Sequence, residues 1–251
     1  MLTSLSRRLR HLPIGAAVLT LASVPYTGRK ADPPRALGAQ ASGLSRTGDW
    51  TIDPMHSSLG FAIDHVGISK VYGRFTQFTG SLSDDEKDAG KARVAFTVQA
   101  ASIDTAVPPR DTHLRGPDFF DVERYPQIKF ESTKVERRAP GYRVTGNLTM
   151  HGVTRPVTIP LKLTGPVRDN FGAVRRGFAS DNFSIDRRDY GVSWQQMLPG
   201  GGKTLGERVE IQITMEATPA KAGELKPAEP PVPSVTPPSG TVGTVTPPPR
   251  R

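Results

Sequence analysis

The sequence predicts an all-β fold, antiparallel and built from about eight strands. Three observations carry that expectation. Between residues 49 and 218, apolar and polar residues alternate in run after run, as they do on half-buried strands. No segment longer than about ten residues keeps a helical period. Successive runs are joined by short turns, which makes antiparallel pairing nearly obligatory. Strands in that number either close into an up-and-down barrel or stack as a sandwich, and periodicity leaves both open. A barrel of that size is just wide enough to be packed solid or to hold one elongated ligand.

The first run opens at Trp50-Thr-Ile52-Asp53. Residues 54–58 read as a turn into a clean strand, where Leu59, Phe61 and Ile63 face one way and Gly60, Ala62 and Asp64 the other. After a turn at Gly67, residues 71–82 read as one or two strands carrying Phe75 and Phe78, with Gly73 and Gly80 marking bends or bulges. Residues 84–90 read as a charged hairpin loop. Val94, Phe96 and Val98 line one face of the next strand, which residues 102–105 extend.

Residues 111–130 break the alternation. His113, Leu114 and Arg115 sit together, Gly116-Pro117 interrupts the run, and Asp118-Phe119-Phe120-Asp121 places two adjacent aromatics between two acids. Neighbours on a strand point to opposite faces, so a Phe pair buried together suits a helical turn or tight loop. Tyr125-Pro126 restores an extended backbone. The stretch reads as a short helical lid near residues 109–124, opened by Pro108-Pro109 and closing one end of the β structure. Asp111, Asp118 and Asp121 fit helix capping better than acid–base chemistry.

Beyond the lid, a strand runs from Ile128 to Val135. Ala139-Pro140-Gly141 turns it into Tyr142, Val144, Gly146, Leu148 and Met150, and His151-Gly152 turns again. Val157, Ile159, Leu161 and Leu163 alternate with polar residues and with Pro160, which cannot donate to a ladder, so this strand is expected at an edge or with a bulge. Residues 175–185, including Phe178, form a less regular strand, followed by a glycine-rich loop region that contains Trp194. Val209, Ile211, Ile213 and Met215 face inward on the last strand.

The chain carries a formal charge of +9, but its flanks hold most of it. Residues 1–48 carry a net +6 and residues 219–251 a net +2, leaving +1 for residues 49–218. A domain that tracks phosphates concentrates positive charge on its own surface, so nucleic acid is not an expected partner. Arg7, Arg8 and Arg10 precede an apolar run, Ile14 to Val24, ended by Pro25. That is the pattern of a signal peptide over residues 1–24, with cleavage as late as residue 41 at Ala39-Gln40-Ala41. The run falls short of the roughly twenty residues a membrane helix needs, so no stable span is expected after processing. Residues 25–48 read as a flexible leader. Ten of the 33 residues from Pro219 onward are proline, which marks a disordered tail with polyproline II character. The expected location is periplasmic or secreted. Cysteine is absent, which excludes disulfides, thiol catalysis, Cys-ligated metals and lipid anchoring at Cys.

No catalytic residue and no metal ligand set emerges. His56, His65, His113 and His151 lack the spacing of a ligand pair, and neither a nucleophile elbow, a phosphate-cradling glycine loop nor a glycosidase carboxylate pair is present. Trp50-x-Ile52-Asp53-x-x-His56-Ser57, Phe61-x-Ile63-x-His65 and Gly73-x-Phe75 nevertheless resemble the opening of the YceI-like family. Arg110-Asp111-x-His113-Leu114-Arg115-x-x-Asp118-Phe119-Phe120-Asp121 resembles its middle motif, and Gly146-x-Leu148-Thr149-x-His151-Gly152-Val153-Thr154-x-Pro156-Val157 its third. Ile185-x-Arg187-x-Asp189-Tyr190-Gly191 and Gly206-x-x-Val209 are similar to its C-terminal part. The match covers about residues 49–217, in order and correctly spaced; Pro117 within the lid motif and the proline-rich tail depart from it.

The resemblance implies a lipocalin-like antiparallel β-barrel of about eight strands. It further implies an exported protein that holds a polyisoprenoid, or a similar long-chain lipid of the isoprenoid quinone type, in an internal tunnel. No other cofactor is implied, and no catalytic residue carries over. The apolar residues expected to line the tunnel are Phe61, Ile63, Phe75, Phe96, Val98, Phe130, Leu148, Ile159, Leu161, Phe178 and Ile211, with Phe119 and Phe120 sealing one end against the strands of Phe96 and Phe130. His113, Arg115 and Arg187 are the candidates to meet a polar head at the mouth. Two other readings stay open: a histidine- and metal-dependent periplasmic enzyme, and a stress-related adaptor working through the proline-rich tail. Self-association into a homodimer is open as well.

Overall fold

A computed structural model describes residues 43–139 and 141–221, without the side chains at 181 and 182. The signal peptide, most of the leader and nearly all of the tail lie outside the described residues. The strands are β1 (Gly48–His65), β2 (Ser69–Phe75), β3 (Phe78–Asp84), β4 (Arg93–Gln99), β5 (Ile103–Asp104), β6 (Gln127–Arg138), β7 (Gly141–Met150), β8 (Val153–Arg168), β9 (Val174–Asp186) and β10 (Leu205–Pro219), with one helix, α1 (Pro108–Arg115). Around the ring the order is β1, β3, β4, β6, β7, β8, β9, β10, every pair antiparallel, and β10 returns to β1. The result is a closed eight-stranded barrel, which leaves no open sheet edge in the ring. Short β2 and β5 continue β3 and β4 toward one end, with β2 pairing to the second half of β1 and β5 to β2.

β1 runs through the stretch that reads in sequence as a turn. Residues 53 to 58 face only residues 216 to 214 of β10, so residues 54–57 bulge out of a continuous strand. Ser57 Oγ donates to the Asp53 carbonyl at 2.6 Å and accepts from the Glu216 amide at 3.0 Å, and Met55 N donates to Asp53 Oδ1. Those bonds satisfy a backbone that would otherwise be unpaired. The bulge also switches the parity of the strand, so that Ile52 before it and Leu59, Phe61 and Ile63 after it all face the interior.

Gly73, Gly80 and Gly146 serve a purpose other than bending. Gly73 is the cross-strand partner of Phe61 and Gly80 of Phe96. A Cβ on either would run into the partner's ring, and one on Gly146 into the ring of Phe130. Each glycine thus leaves room for a phenyl ring laid across it, an arrangement that also covers the bare backbone. For Pro160 the sequence expects an edge or a bulge, and β8 supplies a locally unpaired side followed by a register shift. β8 lies inside the ring, but its residues 153–161 pair only with β7, and pairing to β9 starts at Lys162. Pro160 therefore has one side free of ladder bonds, and a register shift follows between Thr164 and Val167.

The lid begins with Pro108 and Pro109 in the first turn of α1, where a missing N–H costs nothing. Asp111 is buried and accepts from both the amide and the hydroxyl of Thr105, tying α1 to the end of β5. Turns continue the lid past the helix: Phe120 N donates to Leu114 O, Asp121 N to Gly116 O and Tyr125 N to Asp121 O.

The opposite end of the barrel is shut by a buried ion pair. Asp84 does not belong to a solvated hairpin loop; it closes β3 facing inward, and Arg176 of β9 reaches it across the interior, Nη2 to Oδ2 at 2.6 Å. The guanidinium lies over the rings of Trp50 and Phe178, 5.6 and 5.7 Å from their centroids, and donates to the Arg46 carbonyl.

A hollow barrel with a lidded mouth

Between these two ends the barrel is hollow. A cavity of about 360 Å³ runs inside it, within the range of roughly 300–1,000 Å³ typical of ligand sites. Apolar side chains make up nearly all of its wall. Phe61 and Ile63 come from β1, Phe75 from β2, Phe96 and Val98 from β4, and Phe130 from β6. Leu148 of β7, Ile159 and Leu161 of β8, Phe178 of β9 and Ile211 of β10 complete the girdle, and Phe119 and Phe120 face it from the lid. All thirteen apolar residues singled out from the sequence line this one space, because each occupies the inward parity of its strand or the underside of the lid.

The lid aromatics pack differently from the sequence expectation. Phe119 lies against Trp194 at 5.2 Å and His113 at 5.0 Å between ring centroids, and Phe120 meets Phe75 edge-on at 5.8 Å. Phe75 in turn meets Phe61 at 5.9 Å, while Phe96 and Phe130 face each other across the β4–β6 pair. A chain of rings therefore runs from the lid down the β1–β2 wall.

The polar candidates divide. His113 lines the mouth, its Nε2 2.8 Å from Asp118 Oδ2 and its ring edge-on to Trp194 at 5.3 Å. Arg187 also lines the cavity but is buried, donating from Nε to Gly206 O and from Nη1 to Val192 O and Trp194 O. Burial pulls its pKa below the ordinary guanidinium value, with Asp186 acting in the opposite direction. Arg115 is the exception, since it does not reach the cavity. Its guanidinium donates to Ala101 O at 2.7 Å and Ile103 O at 2.8 Å, at the 3₁₀ turn (Ala100–Ser102) that separates β4 from β5. Tyr190, three residues after Arg187, is buried as well, and loss of hydration pushes its phenol up to about 12.

Sequence reasoning missed several parts of the wall. Trp194 and Thr204 sit in an aperiodic loop, and His65 at the very end of β1, where alternation gives little guidance. Val157, Val209, Ile213 and Met215 were legible as inward-facing, and they too line the cavity, as does Ile185. The histidines are scattered: His56 bonds Asp53, His151 Nδ1 contacts the Tyr190 carbonyl, and His113 holds Asp118. Among the described residues, no three His, Cys, Asp or Glu side chains gather as a metal site. No helix of the described residues is long and apolar enough to cross a membrane.

A closed antiparallel barrel around a lidded apolar cavity defines a protein of the lipocalin-like class. A model of the YceI-like domain matches residues 50–217, and the chain belongs to that family. It is 40% identical over 183 residues to a UPF0312 protein of Serratia proteamaculans (strain 568), covering 72% of this chain and 92% of that one. Among solved structures it is similar in fold to Burkholderia cenocepacia BcnA, with a TM-score of 0.58 at 23% identity over 66% of this chain and 99% of that one. It is also similar to a polyisoprenoid binding domain from Saccharophagus degradans, with a TM-score of 0.52 at 16% identity over 68% and 98% of the two chains.

Proposed function

We propose that the protein binds one long-chain apolar lipid, of the polyisoprenoid or isoprenoid quinone type, and carries or sequesters it outside the cytoplasm. The carrying observation is the cavity: about 360 Å³ of space inside a closed barrel, walled by aromatic and branched side chains. Such a space favours hydrocarbon over water. Each CH₂ removed from water gains about 0.8 kcal/mol, so a dozen buried carbons give about 10 kcal/mol before the costs of ordering and association. The Saccharophagus domain with this fold is described as polyisoprenoid binding, which makes an isoprenoid the first chain to test. The basic, then apolar N-terminal segment supports export to the periplasm or beyond. The role is that of a binding protein rather than an enzyme.

Native mass spectrometry of the purified protein, followed by solvent extraction, tests the reading. The expected result is a stoichiometric adduct that is released as an isoprenoid or other single-chain lipid. Protein that stays free of adduct after incubation with isoprenols and quinones of graded chain length would overturn it.

A further inference from the structure

Two polar side chains with unpaired atoms line the mostly apolar cavity at its lidded end. Arg187 is 4% exposed, and its Nη2 has no hydrogen-bond partner among the described residues. No carboxylate there forms an ion pair with it. The nearest acids are already engaged, Asp186 by Arg188 and Glu207 by Arg188 and Lys203. His65, the last residue of β1, pairs with Leu205, the residue next to the Gly206 whose carbonyl receives Arg187. Its imidazole also lines the cavity and makes no hydrogen bond or ring contact among the described residues. The two side chains thus flank the start of β10 from its two sides.

A buried cation with no carboxylate in direct contact is costly, and one retained beside a hydrocarbon-lined space is balanced best by an anionic oxygen brought in by the occupant. A guanidinium with an unpaired N–H and an imidazole able to donate supply two donors for that oxygen. A bare hydrocarbon would leave both unmet. We propose that the mouth is a subsite for an anionic oxygen head group, a phosphate monoester or carboxylate, held by Arg187 and His65 while the chain points toward Trp50. The proposal rests on the lipid-binding reading above and adds the head group and the orientation.

The test compares geranylgeraniol with geranylgeranyl monophosphate, two ligands with the same chain, by titration on the full protein stripped of lipid. The monophosphate is expected to bind roughly ten- to a hundredfold tighter, the range of a hydrogen bond to a charged group. That preference should shrink in Arg187→Met and in His65→Leu. Arg187 also bonds three carbonyls, so if Arg187→Met fails to fold, His65→Leu and the wild-type ratio decide. Equal binding of alcohol and phosphate would overturn the head-group subsite but leave the lipid cavity standing, whereas binding of neither would overturn the cavity reading itself. A preference unchanged in His65→Leu would also overturn the subsite. Inorganic phosphate is the final arm: no displacement at millimolar concentration supports a head group joined to a chain, and displacement of the monophosphate would reassign the site to free phosphate.

Discussion

Arg176 and Asp84 are 92 residues apart in the chain, yet meet inside the barrel at 2.6 Å with side chains 0% and 1% exposed. They belong to β9 and β3, strands that are not neighbours in the ring, so the pair crosses the lumen. Asp84 Oδ1 and Arg176 Nε find no partner among the described residues, so the contact is a single charged bond packed under aromatic rings.

Removing one member should therefore be far worse than removing both. Asp84→Leu is expected to cost about 3–5 kcal/mol by stranding the guanidinium, while Arg176→Met combined with Asp84→Leu should recover much of that loss. Denaturant midpoints of the two single variants and the double variant check this. Additive losses would show that the pair is not coupled.

Gly73→Ala should destabilise by about 1–3 kcal/mol, because a methyl there collides with the Phe61 ring. Gly172→Ala is the steric control, since nothing lies near a Cβ at that site. Its positive φ adds some strain, so the informative comparison is Gly73→Ala alone against Gly73→Ala with Phe61→Leu. The smaller side chain should restore part of the melting temperature.

Phe120 and Phe78 separate lid from core. Phe78 is 5% exposed within the core, and Phe78→Ala should cost about 3–5 kcal/mol. Phe120 is only half-buried, edge-on to Phe75, so Phe120→Ala should cost less but release bound lipid faster. Melting curves and lipid dissociation rates measured on both variants check the split. A large loss of stability with unchanged dissociation would make Phe120 an ordinary core residue.

On the outer wall, Arg175 bridges Asp53 at 2.9 Å and Asp169 at 2.7 Å. Burial alone would raise the pKa of Asp53, but hydrogen bonds from His56 and Arg175 outweigh it and hold the carboxyl below its usual range. The bond from Arg175 likewise lowers Asp169. A carboxylate depressed in the folded state stabilises above its unfolded pKa of about 4 and loses that contribution as pH falls through the folded value. The stability gap between wild type and Arg175→Gln should thus be widest near pH 7 and close below about pH 4. Urea midpoints at pH 7 and pH 3 measure it.

The strands and the cavity wall were legible in the sequence because period-two alternation reports which side of a sheet is dry. The ion pair was legible in principle: Asp84 follows Leu82 and Arg176 precedes Phe178 on the same inward parity. Charged residues at strand ends nevertheless read as solvated, since alternation says nothing about a partner on a distant strand. Arg115 failed for a different reason. Its role depends on carbonyls at Ala101 and Ile103 that the short 3₁₀ turn between β4 and β5 presents, a turn that no residue pattern announces. The bulge at residues 54–57 hid behind Pro54, a residue that signals a turn as readily as an interruption of pairing.

Among the described residues, the Arg176–Asp84 pair fills the end of the lumen away from the lid. On the lipid-binding reading proposed above, a chain that enters at the lidded end leaves the way it came, last carbon in and first carbon out. A vessel of that shape does not hand cargo through itself from one side to another. It must turn the same face to donor and to acceptor in succession, so delivery is a matter of reorientation and waiting time rather than of flow.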